Sequence, residues 1–191
     1  MPTSDDLEIL SFADAAEWEA WLAHHHADRP GVWVRIARKG SGLQSINAVE
    51  GTEVALCFGW IDSHRKAFDE TRFLQKYTPR RRGSAWSRVN RDRAEALIAT
   101  GRMQAAGLAE IERAQTDGRW AAAYESQREA VVPLELENAL AANTEARRAF
   151  EALRKTDRYG LILPLLKART EADRARQLGR IIETLLAGVP R

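Results

Sequence analysis

A single cysteine, Cys57, cannot build an internal disulfide framework or a multi-cysteine zinc site. Long apolar runs are missing as well, and no segment approaches the roughly 20 residues that a membrane-spanning helix needs. The N-terminus, Met1-Pro2-Thr3-Ser4-Asp5-Asp6, has neither a basic start nor an apolar stretch, so it does not read as a secretory signal. Net charge is nearly absent at +2, which excludes a whole-chain polycation of the nucleic-acid-coating kind. Internal repeats and low-complexity tracts are not found either. These absences point to a cytoplasmic, bacterial-style protein without membrane insertion.

What is present suits one globular domain with a helical extension. The chain has 191 residues, 45% of them apolar, and six tryptophans, enough to bury a real core. Asp14 and Glu17 form a capping-box-like start, and Trp18, Trp21 and Leu22 then share one helical face. Val32 to Lys39 alternates as a strand does, and Glu50 to Phe58 reads as a short buried helix stopped by Gly59. Trp60 to Ala67 and Thr71 to Tyr77 read as an antiparallel hairpin closed by Pro79. Helices are expected from Asn90 to Thr100, from Ala105 to Thr116, from Pro133 through Leu153 and over Leu178 to Leu185. The fold class is α+β, with a small antiparallel sheet and packed helices in the N-terminal half, followed by a helical C-terminal region. The expected division is 1–126 for the α+β core and 127–191 for the helical extension, with a linker at Gln127 to Pro133.

Charge is distributed unevenly. From Pro79 to Arg93 there are six arginines against one acid, Asp92. Arg80, Arg81, Arg82, Ser84, Trp86, Ser87, Arg88, Asn90 and Arg91 therefore form the candidate anion-binding segment. Arginines at a helix start oppose the macrodipole, and a local rule broken at one place can mark function. The same pattern also fits a solvated basic face. Asp62, Ser63 and His64 are the residue types of acyl transfer, but a hydrolytic triad is assembled from separated elements. Simple alternation would leave Asp62 and His64 on one face. His24-His25-His26 at a helix end diverge and have no acidic partner at ligand spacing, so no metal is assigned. Cys57, between Leu56 and Phe58, reads as a small core residue.

The blocks Gly31-Val32-Trp33, Ala55 to Asp62, Tyr77-Thr78-Pro79-Arg80, Trp86-Ser87 and Gly118-Arg119-Trp120 resemble the YdeI/OmpD-associated, bacteriocin-protection family. That resemblance implies a stress- or defence-associated role, and it brings no catalytic residue and no cofactor with it. The favoured reading is a non-catalytic protein that binds an anionic ligand, nucleic acid or acidic protein surface. The competing reading is an enzyme acting on a small anionic metabolite, with Asp62 and His64 as the chemistry and arginines for orientation. A third is a protein-interaction module built on exposed tryptophans. No oligomeric state is implied.

Overall fold

The computed structural model describes residues 7–188; the segment Met1 to Asp6 read above for a signal lies outside them. Two compact units share the chain. The first runs up to Ser84 and takes the chain up again over Asn90–Ala121, and the second comprises Ala85–Val89 and the chain from Ala122 onward.

The first unit is α+β. Strands β1 (Ile9–Ser11), β2 (Val32–Ala37), β3 (Trp60–Ala67) and β4 (Arg72–Pro79) make one sheet in the order β1-β2-β4-β3. The three longer strands pair antiparallel as expected, but β1 adds parallel to β2, so the sheet is mixed. β1 is three residues long, too short for alternation to reveal it. Helices α1 (Ala15–His25) and α2 (Ala48–Cys57) pack on the sheet face that carries Val32, Val34, Ile36 and Tyr77. Asp14 caps α1 by accepting from the Glu17 amide, and Asn47 caps α2 with a reciprocal bond from Glu50.

Aromatic side chains dominate this core. Trp18, Trp60 and Tyr77 are essentially fully buried, with the Trp18 and Tyr77 rings 5.4 Å apart. Burying about 150–250 Å² per aromatic ring at roughly 25 cal/mol per Å² contributes about 4–6 kcal/mol gross. The indole bonds, Trp18 Nε1 to Gly51 O at 3.1 Å and Trp60 Nε1 to His26 O at 3.0 Å, each add about 1 kcal/mol net. Burial therefore supplies the stability, and the hydrogen bonds fix where each ring sits.

Gly59, at φ +72°, turns the chain sharply from α2 into β3. Helices α3 (Arg88–Ala99) and α4 (Ala105–Thr116) follow. α3 starts two residues before Asn90, so Asn90 is inside the helix and its side-chain oxygen accepts from Arg93 rather than capping. α4 meets α2 closely: a Cβ on Gly107 would lie 2.4 Å from the Cys57 carbonyl oxygen and 2.8 Å from that of Leu56.

The second unit carries α5 (Leu134–Ala142), α6 (Thr144–Ala152), α7 (Lys155–Lys167) and α8 (Glu171–Ala187). The single helix expected from Pro133 through Leu153 is two, because Asn143 ends α5 and its side chain then caps α6 at the Ala146 amide. Leu136, Leu140, Phe150, Ile162, Leu165, Ile181 and Leu185 form a core of their own. α7 contains Pro164 and has no counterpart among the helices expected from the sequence.

Two backbone oxygens cannot shift as a flexible side chain can. Gly107→Ala should therefore cost about 1–3 kcal/mol, seen as a lower urea midpoint with an unchanged slope.

Candidate functional site

The Pro79–Arg93 segment is anchored from within. The Arg80 amide donates to Gly59 O at 3.0 Å, which extends the β3–β4 pairing one residue past Pro79. The Arg80 side chain does not reach the surface; only 2% of it is accessible, and its Nε lies 3.8 Å from Glu110 Oε1. Glu110 is itself 3% exposed and also receives Arg119 Nη1 at 3.0 Å and Arg113 Nη2 at 2.7 Å. Arg119 Nη1 and Arg80 Nη2 both donate to the Ser84 carbonyl, at 3.0 and 3.3 Å. Burial opposes the charge on Arg119, yet its bonds to Asp117 and Glu110 hold its pKa above the ordinary value.

The remaining segment residues are divided by their partners. Trp86 is 2% exposed, so its ring is not a surface platform. Arg88 pairs with Glu125 at 2.9 Å, and Arg91 lies 3.3 Å from Asp92 and 3.7 Å from Glu95. Ser84, Ser87 and Asn90 are half-buried. Arg81 and Arg82 are exposed, and neither guanidinium has a carboxylate partner among the described residues. Arg82 also lines a cleft of about 390 Å³ with Gly83, Glu112, Arg113, Asp117 and Arg119.

Asp62 sits where β3 changes register. Asp62 pairs with Tyr77 and Arg65 with Gln75, so Ser63 and His64 together bulge opposite Lys76. Tyr77 and Gln75 point to one face, so the bulge puts Arg65 beside Asp62 and takes His64 out of that place. This corrects the alternation that put Asp62 and His64 together. His64 is exposed, and its carbonyl accepts from Gln75 Nε2 at 3.1 Å. Burial pushes the Asp62 carboxyl above its ordinary 3.8, offset by its backbone hydrogen bond and by the charges of Arg93, Arg65 and Arg80.

Cys57, His24 and His26 are engaged within the protein. Burial raises the Cys57 thiol to about 11, so it is un-ionised at neutral pH. His24 and His26 each donate Nδ1–H to a carbonyl of their own helix, Ala20 O and Leu22 O. Among the described residues no group of three His, Cys, Asp or Glu side chains could hold a metal ion. No helix of the described residues is long and apolar enough to cross a membrane.

The Glu110 network was not anticipated from the sequence, though its signal was there. Gly107, Glu110, Ile111 and Ala114 recur at the i, i+3, i+4, i+7 spacing of a buried stripe. An acid on that stripe requires buried cations to meet it.

These geometries belong to a mixed-sheet α+β unit and a separate helical unit. Residues 10–110 match the model of a domain of unknown function (DUF8412), and the chain belongs to that family. Residues 129–188 match the model described as Bacteriocin-protection, YdeI or OmpD-Associated (OmdA), which supports YdeI/OmpD-associated membership through the helical part. That match lies downstream of the blocks between Gly31 and Trp120 that suggested the resemblance. No curated protein and no solved structure matches the chain.

Glu110→Ala would leave the buried Arg80 and Arg119 charges without their shared carboxylate. A loss of about 3–5 kcal/mol is expected, measured as unfolding free energy in urea. Asp62→Asn tests the buried carboxyl. A pKa raised in the folded state means that the native protein binds more protons than the unfolded chain through that range, so stability falls as pH rises past it. Asp62→Asn should therefore be more stable than the parent at pH 7, and the gain should vanish below about pH 3, as read from paired melting curves.

Proposed function

We propose that this chain is a non-catalytic binding protein for an anionic partner, whether a nucleotide, nucleic acid or acidic protein surface. The working groups are Arg81 and Arg82. The observation that carries the reading is the contrast within one segment. Arg80, Arg88 and Arg91 are each near carboxylates, whereas Arg81 and Arg82 stand exposed on a turn without one. An arginine whose charge is already neutralised gains little from a further anion. An exposed, unneutralised pair retains its full attraction for phosphate or carboxylate. The buried Arg80–Glu110–Arg119 network would serve as the rigid base under that turn.

Binding of this kind falls steeply as salt rises, because each neutralised phosphate releases counterions. Arg81→Glu/Arg82→Glu should weaken binding of a single-stranded oligonucleotide or an acidic peptide at least about tenfold and leave the melting temperature unchanged. Undiminished binding would remove the proposal.

A second reading has one observation in its favour. A half-buried carboxyl with a raised pKa beside three arginines is also how a proton-transfer group near an anion-orienting site looks. In that reading Asp62 moves the proton and Arg65 and Arg93 orient a small anionic metabolite, without His64. Turnover of a phosphorylated metabolite that disappears in Asp62→Asn would support it, and turnover that survives would end it.

A further inference from the structure

A separate cluster of cations lies at the other end of the β3–β4 hairpin. Arg38, Lys39, Arg65 and Lys66 line a cleft of about 370 Å³ together with Ala67 and Phe73. None of the four pairs with a carboxylate among the described residues, whereas most arginines elsewhere in the chain do. Two acids stand in the hairpin turn, the exposed Glu70 and Asp69, and Asp69 is occupied. It accepts from the Thr71 amide and hydroxyl and from the Arg72 amide, and it pairs with the Arg72 guanidinium at 3.2 Å.

The cleft is also built from below. Gln75 is 2% exposed, and its Oε1 accepts from Arg65 Nε at 3.0 Å while its Nε2 donates to the His64 carbonyl. A buried amide is costly unless both of its ends are used. Here both are used, and the result holds one exposed guanidinium in place. The same guanidinium stacks 4.3 Å from the centre of the Phe73 ring, which leaves its outer face and terminal N–H groups to the solvent. The Lys66 ammonium lies 4.4 Å over Trp33, on the opposite face of the sheet from Arg65, so Lys66 lines the cleft with its stem rather than its charge. Arg65 is thus held in the cleft with Arg38 and Lys39 without a carboxylate at ion-pair distance, which suits a site whose counter-charge is a ligand.

We propose that this cleft is a binding site for a nucleoside di- or triphosphate. Arg38, Lys39 and Arg65 offer three positive charges to a polyphosphate, and the planar guanidinium fork fits phosphate oxygens in pairs. The cleft volume is that of a small-molecule pocket rather than a groove for a long polymer. The Arg65 plane, backed by Phe73, offers a stacking surface for a base. The site goes beyond the Arg81/Arg82 reading, shares no residue with it, and stands or falls separately.

The test is titration calorimetry on the full chain with ATP, ADP, AMP, adenosine, pyrophosphate and a 12-nucleotide single strand, in the presence of a chelator. ATP and ADP should bind saturably, at least about tenfold more tightly than AMP, with adenosine not binding and pyrophosphate weaker than ADP. Lys39→Glu/Arg65→Glu should lose at least about tenfold in ADP affinity, and Arg81→Glu/Arg82→Glu should lose none. Should Arg65→Glu disturb folding, Arg38→Glu/Lys39→Glu lies on exposed residues and reads the same loss. Backbone amide shifts induced by ADP should gather at residues 38, 39, 65 to 67 and 73. No saturable ADP binding, tighter binding of the oligonucleotide than of ATP, or equal loss in the Arg81/Arg82 variant would each overturn the site.

Discussion

Glu110 is the hinge of the first unit's electrostatics. One buried carboxylate faces Arg80 from the end of the hairpin, Arg119 from beyond α4 and Arg113 from its own helix. Taking such charges out of water is costly, and only close geometry with further hydrogen bonds recovers the cost. Ser84 O and Asp117 supply those bonds. The outcome is that the arginine segment is rooted in the protein at Arg80, so Arg81 and Arg82 start from a fixed point. Without the carboxylate, two guanidinium groups would remain buried and the turn would lose its base.

The β3–β4 hairpin carries that constraint across the sheet. Its near end joins α2 through Gly59 and continues into Arg80. Its middle has the bulge that exchanges His64 for Arg65 on the face shared with Asp62. Its far end holds the cleft lined by Arg38, Lys39 and Arg65, where Gln75 aims Arg65 outward. Positive charge thus occurs at both ends of one hairpin in two different states, internally neutralised at Arg80 and without a carboxylate at ion-pair distance at Arg65. Composition does not distinguish those states, because both are simply arginine and lysine.

Much of the fold was legible. The hairpin, α1, α2, α4 and the Leu178–Leu185 stripe of α8 follow from alternation, capping residues and helical spacing, which are local signals. β1 was not legible, since a three-residue parallel strand exists only because β2 lies beside it. Asn143 looked like one more residue in a long apolar helix, yet its side chain preferred to cap a new start. At the candidate site the legible part was the location of the arginines. Which of them had partners was not legible, because Glu110 lies 30 residues from Arg80 and Glu125 lies 37 residues from Arg88 in sequence.

The sequence by itself determined the class of fold, the aromatic core and the concentration of arginine between Pro79 and Arg93, because each depends on spacing within a short stretch. Tertiary structure decided which of those charges are available. Arg80 is taken up by Glu110 and Arg88 by Glu125, while Arg65 is presented by Gln75. Those outcomes depend on burial and on partners brought from distant segments, and a charge is judged by what surrounds it rather than by what precedes it in the chain.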